Sequence, residues 1–185
     1  MASALRRFNF ALRMTAELFH NLDDANVLVP APIGLDWEPV TPLTSGTTAN
    51  KLDLELQNRD KALTSAATDD YNLFDGSTFD GTATNFDMLG NAAGFTEVVA
   101  VLAHNQSTSA GNMVIGGQGD STAWTGPFGG KLSTDIQIIH PGGIYSIFAP
   151  DDPAYAVANT TNHIFQVLAS GGDITYDLVF FGRSA

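Results

Sequence analysis

Four histidines and three pairs of adjacent aspartates are the residues that could hold a metal ion or exchange protons with a substrate. No histidine lies in a His-x-His or His-Glu-x-x-His pattern, the spacings that let zinc ligands converge. Two of them, His104 and His140, each end a predicted strand just before a turn, where the ring reaches water. The sequence therefore predicts no zinc site. The four histidines are His20, His104, His140 and His163.

The aspartate pairs fit turns better than a calcium site. The stretch Asp70–Gly76 is loosely similar to a calcium-binding loop, but its third ligand comes one place late and no Glu follows at the required distance. In turns, Asp side chains accept hydrogen bonds from their own backbone. We expect no resident metal or other cofactor, and a calcium ion held between loops is the alternative. The pairs are Asp23–Asp24, Asp69–Asp70 and Asp151–Asp152.

Patterns for phosphate binding and nucleophilic catalysis are incomplete. The run Gly116–Gly119 has Thr122 where a dinucleotide-binding loop needs its third glycine, and Leu132 follows Gly130–Lys131 where a Walker loop needs Ser or Thr. The chain has no cysteine and no Gly-x-Ser-x-Gly nucleophile elbow. We therefore predict no catalytic residues and no enzymatic activity. A glycosidase needs only two facing carboxylates, so a carbohydrate-acting enzyme remains an alternative.

Two tryptophans lie in loop-like sequence. An exposed tryptophan can anchor an interface or stack against a sugar ring. Trp124, close to Phe128 in the glycine-rich stretch Gly116–Gly130, is the stronger candidate, and we predict a surface loop contact at these two residues. The alternative is a loop folded down onto the core. Trp37 lies in a proline-rich segment nearer the N-terminus.

The net charge of −12 argues against two classes of partner. A strongly acidic chain is repelled by phosphate backbones and anionic membrane surfaces, so we predict neither nucleic-acid nor membrane binding. Charged residues make up 15%, below the roughly 25% of typical soluble domains. This deficit predicts either surface buried against partners or a large β core with Ser, Thr, Asn and Gly loops. Charges interrupt residues 1–19 throughout, so we expect no secretion signal.

Residues 1–50 are predicted to form an N-terminal arm and a proline-rich connector. Residues 1–26 fit helical spacing and strand alternation equally well, so the arm is either a short helix or extended. Half of the eight prolines fall within residues 27–50, which predicts an irregular segment or an edge crossing, because proline cannot sit inside a central strand. We expect the arm to bind a partner. The predicted contact residues are Arg6, Arg7, Phe8, Phe10 and Trp37.

Residues 51–185 are predicted to form an all-β domain, a jelly-roll-like β-sandwich of about 7–8 strands. Leu52, Leu54 and Leu56 alternate with polar residues, which is typical of a strand. Residues 64–87 form a loop-like stretch that we expect to tuck onto the core. Short strands separated by turn signals then follow. They are Thr96–His104, Asn112–Gly116, Asp135–His140, Ile144–Phe148, Tyr155–Ala158, His163–Ala169 and Asp173–Phe181.

The order of these segments resembles small tailed-phage virion proteins of the head decoration or minor capsid type. The resemblance covers residues 50–185 and implies a jelly-roll module of a virion, with no catalytic residue to carry over. The segments that carry it are Leu52–Leu54, Phe95–Asn105, Ser107–Gly117, His140–Ile144, Ala149–Asp151, Tyr155–Val157 and Ile174–Val179, before Gly182.

The resemblance implies, and the incomplete catalytic patterns agree with, a non-enzymatic capsid decoration (cement) protein that binds and stabilises the phage head shell. We expect a homo-oligomer, most simply a trimer, that contacts the major capsid protein or other virion proteins. Its predicted location is the virion, assembled in the host cytoplasm. The alternative is a tail or head-fibre adhesin that binds host surface glycans through loops near Trp124.

Overall fold

The computed structural model describes residues 12–21, 28–37, 44–76, 94–117, 119, 121–151 and 153–184, and for the first two ranges it gives the backbone. The strands, in chain order, are β1 (Leu12–Asn21), β2 (Leu28–Trp37), β3 (Thr44–Ser45), β4 (Lys51–Leu52), β5 (Leu54–Leu63), β6 (Thr68–Asn72), β7 (Glu97–Asn105), β8 (Asn112–Gly116), β9 (Ile136–Ile139), β10 (Ile144–Phe148), β11 (Tyr155–Ala156), β12 (Ile164–Ser170) and β13 (Ile174–Arg183).

Two antiparallel sheets pack together as a β-sandwich, which confirms the predicted all-β fold. Sheet I has the strand order β10-β7-β13-β5, with the short β11 also paired to β7. Sheet II has the order β6-β12-β8-β9. The finer jelly-roll topology stays a prediction. The one helical element among the described residues is a single 3₁₀ turn, Gly126–Phe128, so no described helix is long enough to cross a membrane.

Period-two alternation explains why these segments become strands. Along β13, Ile174, Tyr176, Leu178 and Phe180 are buried in the space between the sheets. Along β12, Phe165, Val167 and Ala169 do the same from the opposite sheet. Because each fully buried large apolar side chain contributes roughly 1.5–3 kcal/mol, this interior is the main source of stability in a chain without disulfides.

Asn105 ties together the turns at one end of the sandwich. Its side chain is fully buried, and Nδ2 donates to the carbonyls of Gly111 (2.9 Å) and Ile139 (3.0 Å). Its Oδ1 accepts from the Ser107 N–H, and its backbone carbonyl accepts from the Gly142 N–H in the Pro141–Gly143 turn. A polar residue placed here is stable because each of these groups is paired.

Two predictions about loop-like sequence are corrected in part. The segment after residue 27 was predicted to be irregular or an edge crossing, and it contains the regular strand β2, an edge strand that pairs antiparallel with β1 over its full length. Pro30 and Pro32 are compatible with β2 because both strands of a two-stranded ribbon are edge strands. The backbone nitrogens of residues two apart lie on the same side of a strand, so both prolines can occupy the side that has no partner strand. In the stretch 64–87, residues 68–72 form β6, which pairs with β12. For the arm, residues 12–21 are extended rather than helical.

Candidate functional site

The predicted arm contacts fall mostly beyond the part of the chain that the structure describes. Arg6, Arg7, Phe8 and Phe10 lie outside the described residues. Trp37 is the last residue of β2, and its Cα lies opposite Leu12 in the β1–β2 register. The role of these residues as partner contacts therefore stays a prediction.

Trp124 is buried, so its predicted role as a surface contact is wrong. It is 2% exposed, and its indole Nε1 donates to the carbonyl of Ala156 at 3.0 Å. Four aromatic rings surround the indole at centroid distances of 6.1–6.3 Å. They belong to Phe128, Tyr155, Phe165 and Phe180. The alternative weighed from the sequence, a loop folded down onto the core, is what the structure shows.

The loop around Trp124 is fixed by one glycine and one asparagine. Gly126 has a φ of +28°, and a Cβ placed there would lie 2.5 Å from a ring carbon of Trp124. Asn162 Oδ1 accepts from the Thr125 N–H at 2.7 Å. Phe128, the second predicted loop contact, is half-buried and stacks on Tyr145 with an interplanar angle of 18°. The glycine-rich composition therefore serves close packing rather than exposure.

The described histidines stand in three separate environments. His104 Nδ1 lies 3.6 Å from Asp177, and His140 Nδ1 shares a 2.9 Å hydrogen bond with Asn112. His163 Nδ1 is buried with no hydrogen-bond partner. Among the residues that the structure describes, no three His, Cys, Asp or Glu side chains are grouped closely enough to hold a metal ion.

A buried hydroxyl network links the two sheets. Tyr176 of β13 donates to Asp69 Oδ2 of β6 at 2.7 Å, and its hydroxyl also bonds the hydroxyl of Tyr71. Asn58 Nδ2 donates to the Tyr71 hydroxyl at 2.9 Å. Burial, with the nearby Tyr71 and Asp69, raises the pKa of Tyr176 far above its usual value, so this phenol keeps its proton. The network can therefore fasten the two sheets together.

Two charged groups on sheet I also have structural partners. Burial acts to raise the pKa of Asp177, but hydrogen bonds from the Asp60 N–H, Gln106 and His104 outweigh it and lower that pKa. The guanidinium of Arg183 is almost fully buried, pairs with Glu97, and donates to the carbonyl of Pro150 at 2.6 Å. Because a buried charge needs such partners, we interpret Arg183 as a residue that holds the end of β13 in place.

A polar groove of about 400 Å³ opens at one end of the sandwich. It lies where the β5–β6, β7–β8 and β12–β13 turns meet. Ser107 Oγ accepts from the Thr175 N–H, and Asp173 accepts from the Ser65 N–H, so part of its polar lining is already engaged. Its hydroxyl and carboxylate groups suit a small hydroxylated ligand. The groups that give it this character belong to Thr64, Gln106, Ser107, Thr108, Ser109, Asp173 and Thr175.

Apolar side chains also line the outer faces of both sheets. On sheet I, Leu102 and Ile144 are 37% and 63% exposed. On sheet II, Ile136 and Ile138 of the edge strand β9 are 39% and 45% exposed. The sequence interpretation missed these residues. A signal was present, because the unbroken apolar run Val98–Leu102 has no polar position to face water.

Comparisons with known proteins found no relative of this chain. No family model, no curated protein and no solved structure matches the chain.

Proposed function

We propose that this chain is a non-enzymatic structural protein of a virion, a capsid decoration protein that binds and stabilises the head shell. The observation that carries the proposal is the set of exposed apolar side chains on the outer faces of both sheets. Large apolar side chains grouped on a surface are typical of interaction sites. The order of strands and turns in residues 50–185, which resembles tailed-phage virion proteins, supports the virion as the setting.

The use of the buried polar groups supports a structural role. Asn105, Tyr176 and Arg183 each hold two or more segments of the sandwich together through hydrogen bonds. A catalytic site needs a polar group that is free to meet a substrate. Asn105, Tyr176 and Arg183 are engaged with the protein itself, whereas His163 Nδ1 is buried and has no hydrogen-bond partner among the described residues.

The partner in this proposal is a shell protein together with further copies of this chain. The net charge of −12 keeps the sandwich away from nucleic acid and anionic lipid. The arm residues Arg6 and Arg7 give the acidic chain a local positive charge suited to an acidic neighbour. Assembly as a trimer, in the host cytoplasm and on the virion, completes the proposal.

Binding to isolated head shells tests this function. Purified chain is mixed with shells that lack it, and co-sedimentation gives the bound fraction. We expect saturable binding, weakened when Arg6, Arg7, Phe8 and Phe10 are all replaced by Ala. Replacing the exposed Leu132 with Ala is the control and leaves binding unchanged. Shells that bind no wild-type chain at any concentration would contradict the proposal.

Glycan binding is the second candidate, and the polar groove is the observation that favours it. The aromatic platform first expected at Trp124 is buried, so recognition would rest on the groove hydroxyls and Asp173. A glycan array with the assembled protein tests this candidate. Binding that is lost in Asp173→Asn but kept in Asp135→Asn would favour an adhesin over a decoration protein.

A further inference from the structure

The polar groove at the end of the sandwich has walls that hydrogen bonds hold in place. On one wall, the Gln106 N–H donates to the Thr175 carbonyl at 2.8 Å, and Ser107 Oγ accepts from the Thr175 N–H at 3.0 Å. On the other wall, Asp173 Oδ1 accepts from the Ser65 N–H at 2.8 Å. These bonds fix the three turns around the groove, so its shape is set by the protein itself.

A glycine lets two of these turns lie directly against each other. A Cβ at Gly111 of the β7–β8 turn would lie 2.3 Å from the carbonyl oxygen of Asp173, closer than a real side chain allows. The carbonyl of Gly111 also accepts from Nδ2 of the fully buried Asn105 at 2.9 Å. The groove therefore rests on the same buried asparagine that ties this end of the sandwich together.

The groove has an apolar floor and a polar rim. Leu63 and Ile174 line it and also belong to the core between the sheets, where they are 8% and 3% exposed. The rim residues Thr64, Thr108 and Ser109 are exposed. An apolar surface with a few polar groups around it is typical of small-molecule sites, and the volume of about 400 Å³ lies within their range of roughly 300–1,000 Å³.

Several polar groups of the rim have hydrogen-bonding capacity left. Among the described residues, the hydroxyls of Thr64, Thr108, Ser109 and Thr175 have no hydrogen-bond partner, and neither has Asp173 Oδ2. Each hydroxyl can both donate and accept, whereas the carboxylate accepts only. This set of groups matches a ligand that itself carries several hydroxyls.

The charge of the groove selects among such ligands. Asp173 is the one ionisable side chain among the ten described residues that line the groove. None of these ten is a Lys, Arg or His that could pair with an acidic ligand, and the net charge of −12 adds repulsion. The groove therefore favours an uncharged ligand over one that bears a carboxylate or a phosphate.

We propose that the groove binds one neutral sugar residue of a glycan and excludes acidic sugars. The C–H face of the sugar ring packs on Leu63 and Ile174, and the hydroxyls at its edge meet the rim. Asp173 Oδ2 accepts from a sugar hydroxyl, which gives a charge-assisted hydrogen bond. The inference rests on glycan binding, the second candidate function, and names the class of sugar and the group that selects it.

Saturation-transfer difference NMR on the full chain tests this selectivity with matched pairs of sugars. The pairs are D-glucose with D-glucuronic acid and D-galactose with D-galacturonic acid, and the members of each pair differ by one carboxylate. We expect at least one neutral sugar to bind with a dissociation constant on the order of 1 mM. Its acidic counterpart should bind roughly 10-fold more weakly, because Asp173 repels the added charge.

The variant Asp173→Asn separates recognition from folding, because an asparagine Oδ1 still accepts from the Ser65 N–H. We expect it to bind the neutral sugar roughly 10-fold more weakly and to lose the preference over the acidic sugar. Thr108→Val removes one rim hydroxyl and should weaken binding roughly 3-fold.

Matched controls for these variants are Asp135→Asn and Thr161→Val. Asp135 and Thr161 precede β9 and β12, at the end of the sandwich away from the groove. Asp135→Asn changes the net charge by the same amount as Asp173→Asn, so it controls for the charge of the whole chain. Both controls should keep wild-type affinity and selectivity, and circular dichroism melts check that each variant is folded.

Three results would overturn the inference. They are no saturation transfer to either neutral sugar, acidic sugars that bind as tightly as their neutral counterparts, or Asp173→Asn protein that binds like Asp135→Asn protein. Each of these leaves the decoration function standing, because sedimentation with shells tests that function. A chain that binds a neutral sugar but no shells would instead remove the decoration function and support the groove as a sugar site.

Discussion

The surroundings of Trp124 and the outer face of sheet I are both rich in apolar side chains, but they differ in what surrounds them. Around Trp124, aromatic rings enclose the indole and its N–H is paired. On the outer face, Leu102 and Ile144 have exposed surface. The first region is enclosed within one chain, whereas the second has exposed apolar surface. The comparison separates side chains that specify the fold from side chains that the proposed association would cover.

Replacing Trp124 with Ala gives the largest expected effect, because it empties the centre of the aromatic cluster. We expect a loss of about 3–5 kcal/mol in the free energy of unfolding, measured by urea denaturation. Leu132→Ala, at a side chain that is 68% exposed, is the control and stays within about 0.5 kcal/mol of wild type. Equal effects of the two substitutions would mean that the enclosure of Trp124 does not stabilise the fold.

Tyr176→Phe removes the hydroxyl that joins the sheets and leaves Asp69 and the Tyr71 hydroxyl without this partner. We expect a loss of about 1–3 kcal/mol by the same urea assay. Tyr155→Phe, at a partly buried ring of the same core, is the matched control and changes stability by less than about 0.5 kcal/mol. A Tyr176→Phe protein as stable as this control would mean that the hydroxyl network does not fasten the sheets.

Asp177 gives the smallest effect, and its sign follows from its lowered pKa. Because the pKa in the folded state lies below the ordinary 3.8, ionised Asp177 stabilises the fold above that value. This contribution is lost as the pH falls through the folded-state pKa.

Urea midpoints at pH 7 and at pH 2.5 measure the contribution of Asp177. The urea midpoint of the wild-type protein should exceed that of Asp177→Asn at pH 7, and the difference between the two midpoints should shrink at pH 2.5. A difference that grows in acid would contradict the assignment of hydrogen bonds to the ionised form.

Local signals explain how much of the fold the sequence predicts. The segments Asn112–Gly116 and Ile144–Phe148 are strands with the predicted bounds, because their apolar residues end at glycine or proline turns. Strand β6 was missed because its sequence, Thr-Asp-Asp-Tyr-Asn, has one apolar residue, Tyr71, and becomes a strand through pairing with β12. Such pairing depends on distant residues that a local pattern does not contain.

The candidate site was harder to predict for a similar reason. Glycine-rich sequence around Trp124 is equally compatible with an exposed loop and with a loop packed on the core, and the aromatic rings that decide between them come from distant segments. The outer face of sheet I depends on which strands become neighbours, as in the pairing of Leu102 with Val179. In β2, Pro30 and Pro32 interrupted the strand-like sequence pattern, and the strand became recognisable only from its register with β1.

The mass of the purified wild-type chain in solution, measured by light scattering over a concentration series, tests the central claim most directly. A structural module that associates through its outer faces should form a defined multimer, most simply a trimer, that dissociates on dilution. A chain of 19.6 kDa that stays monomeric at every concentration would contradict the account.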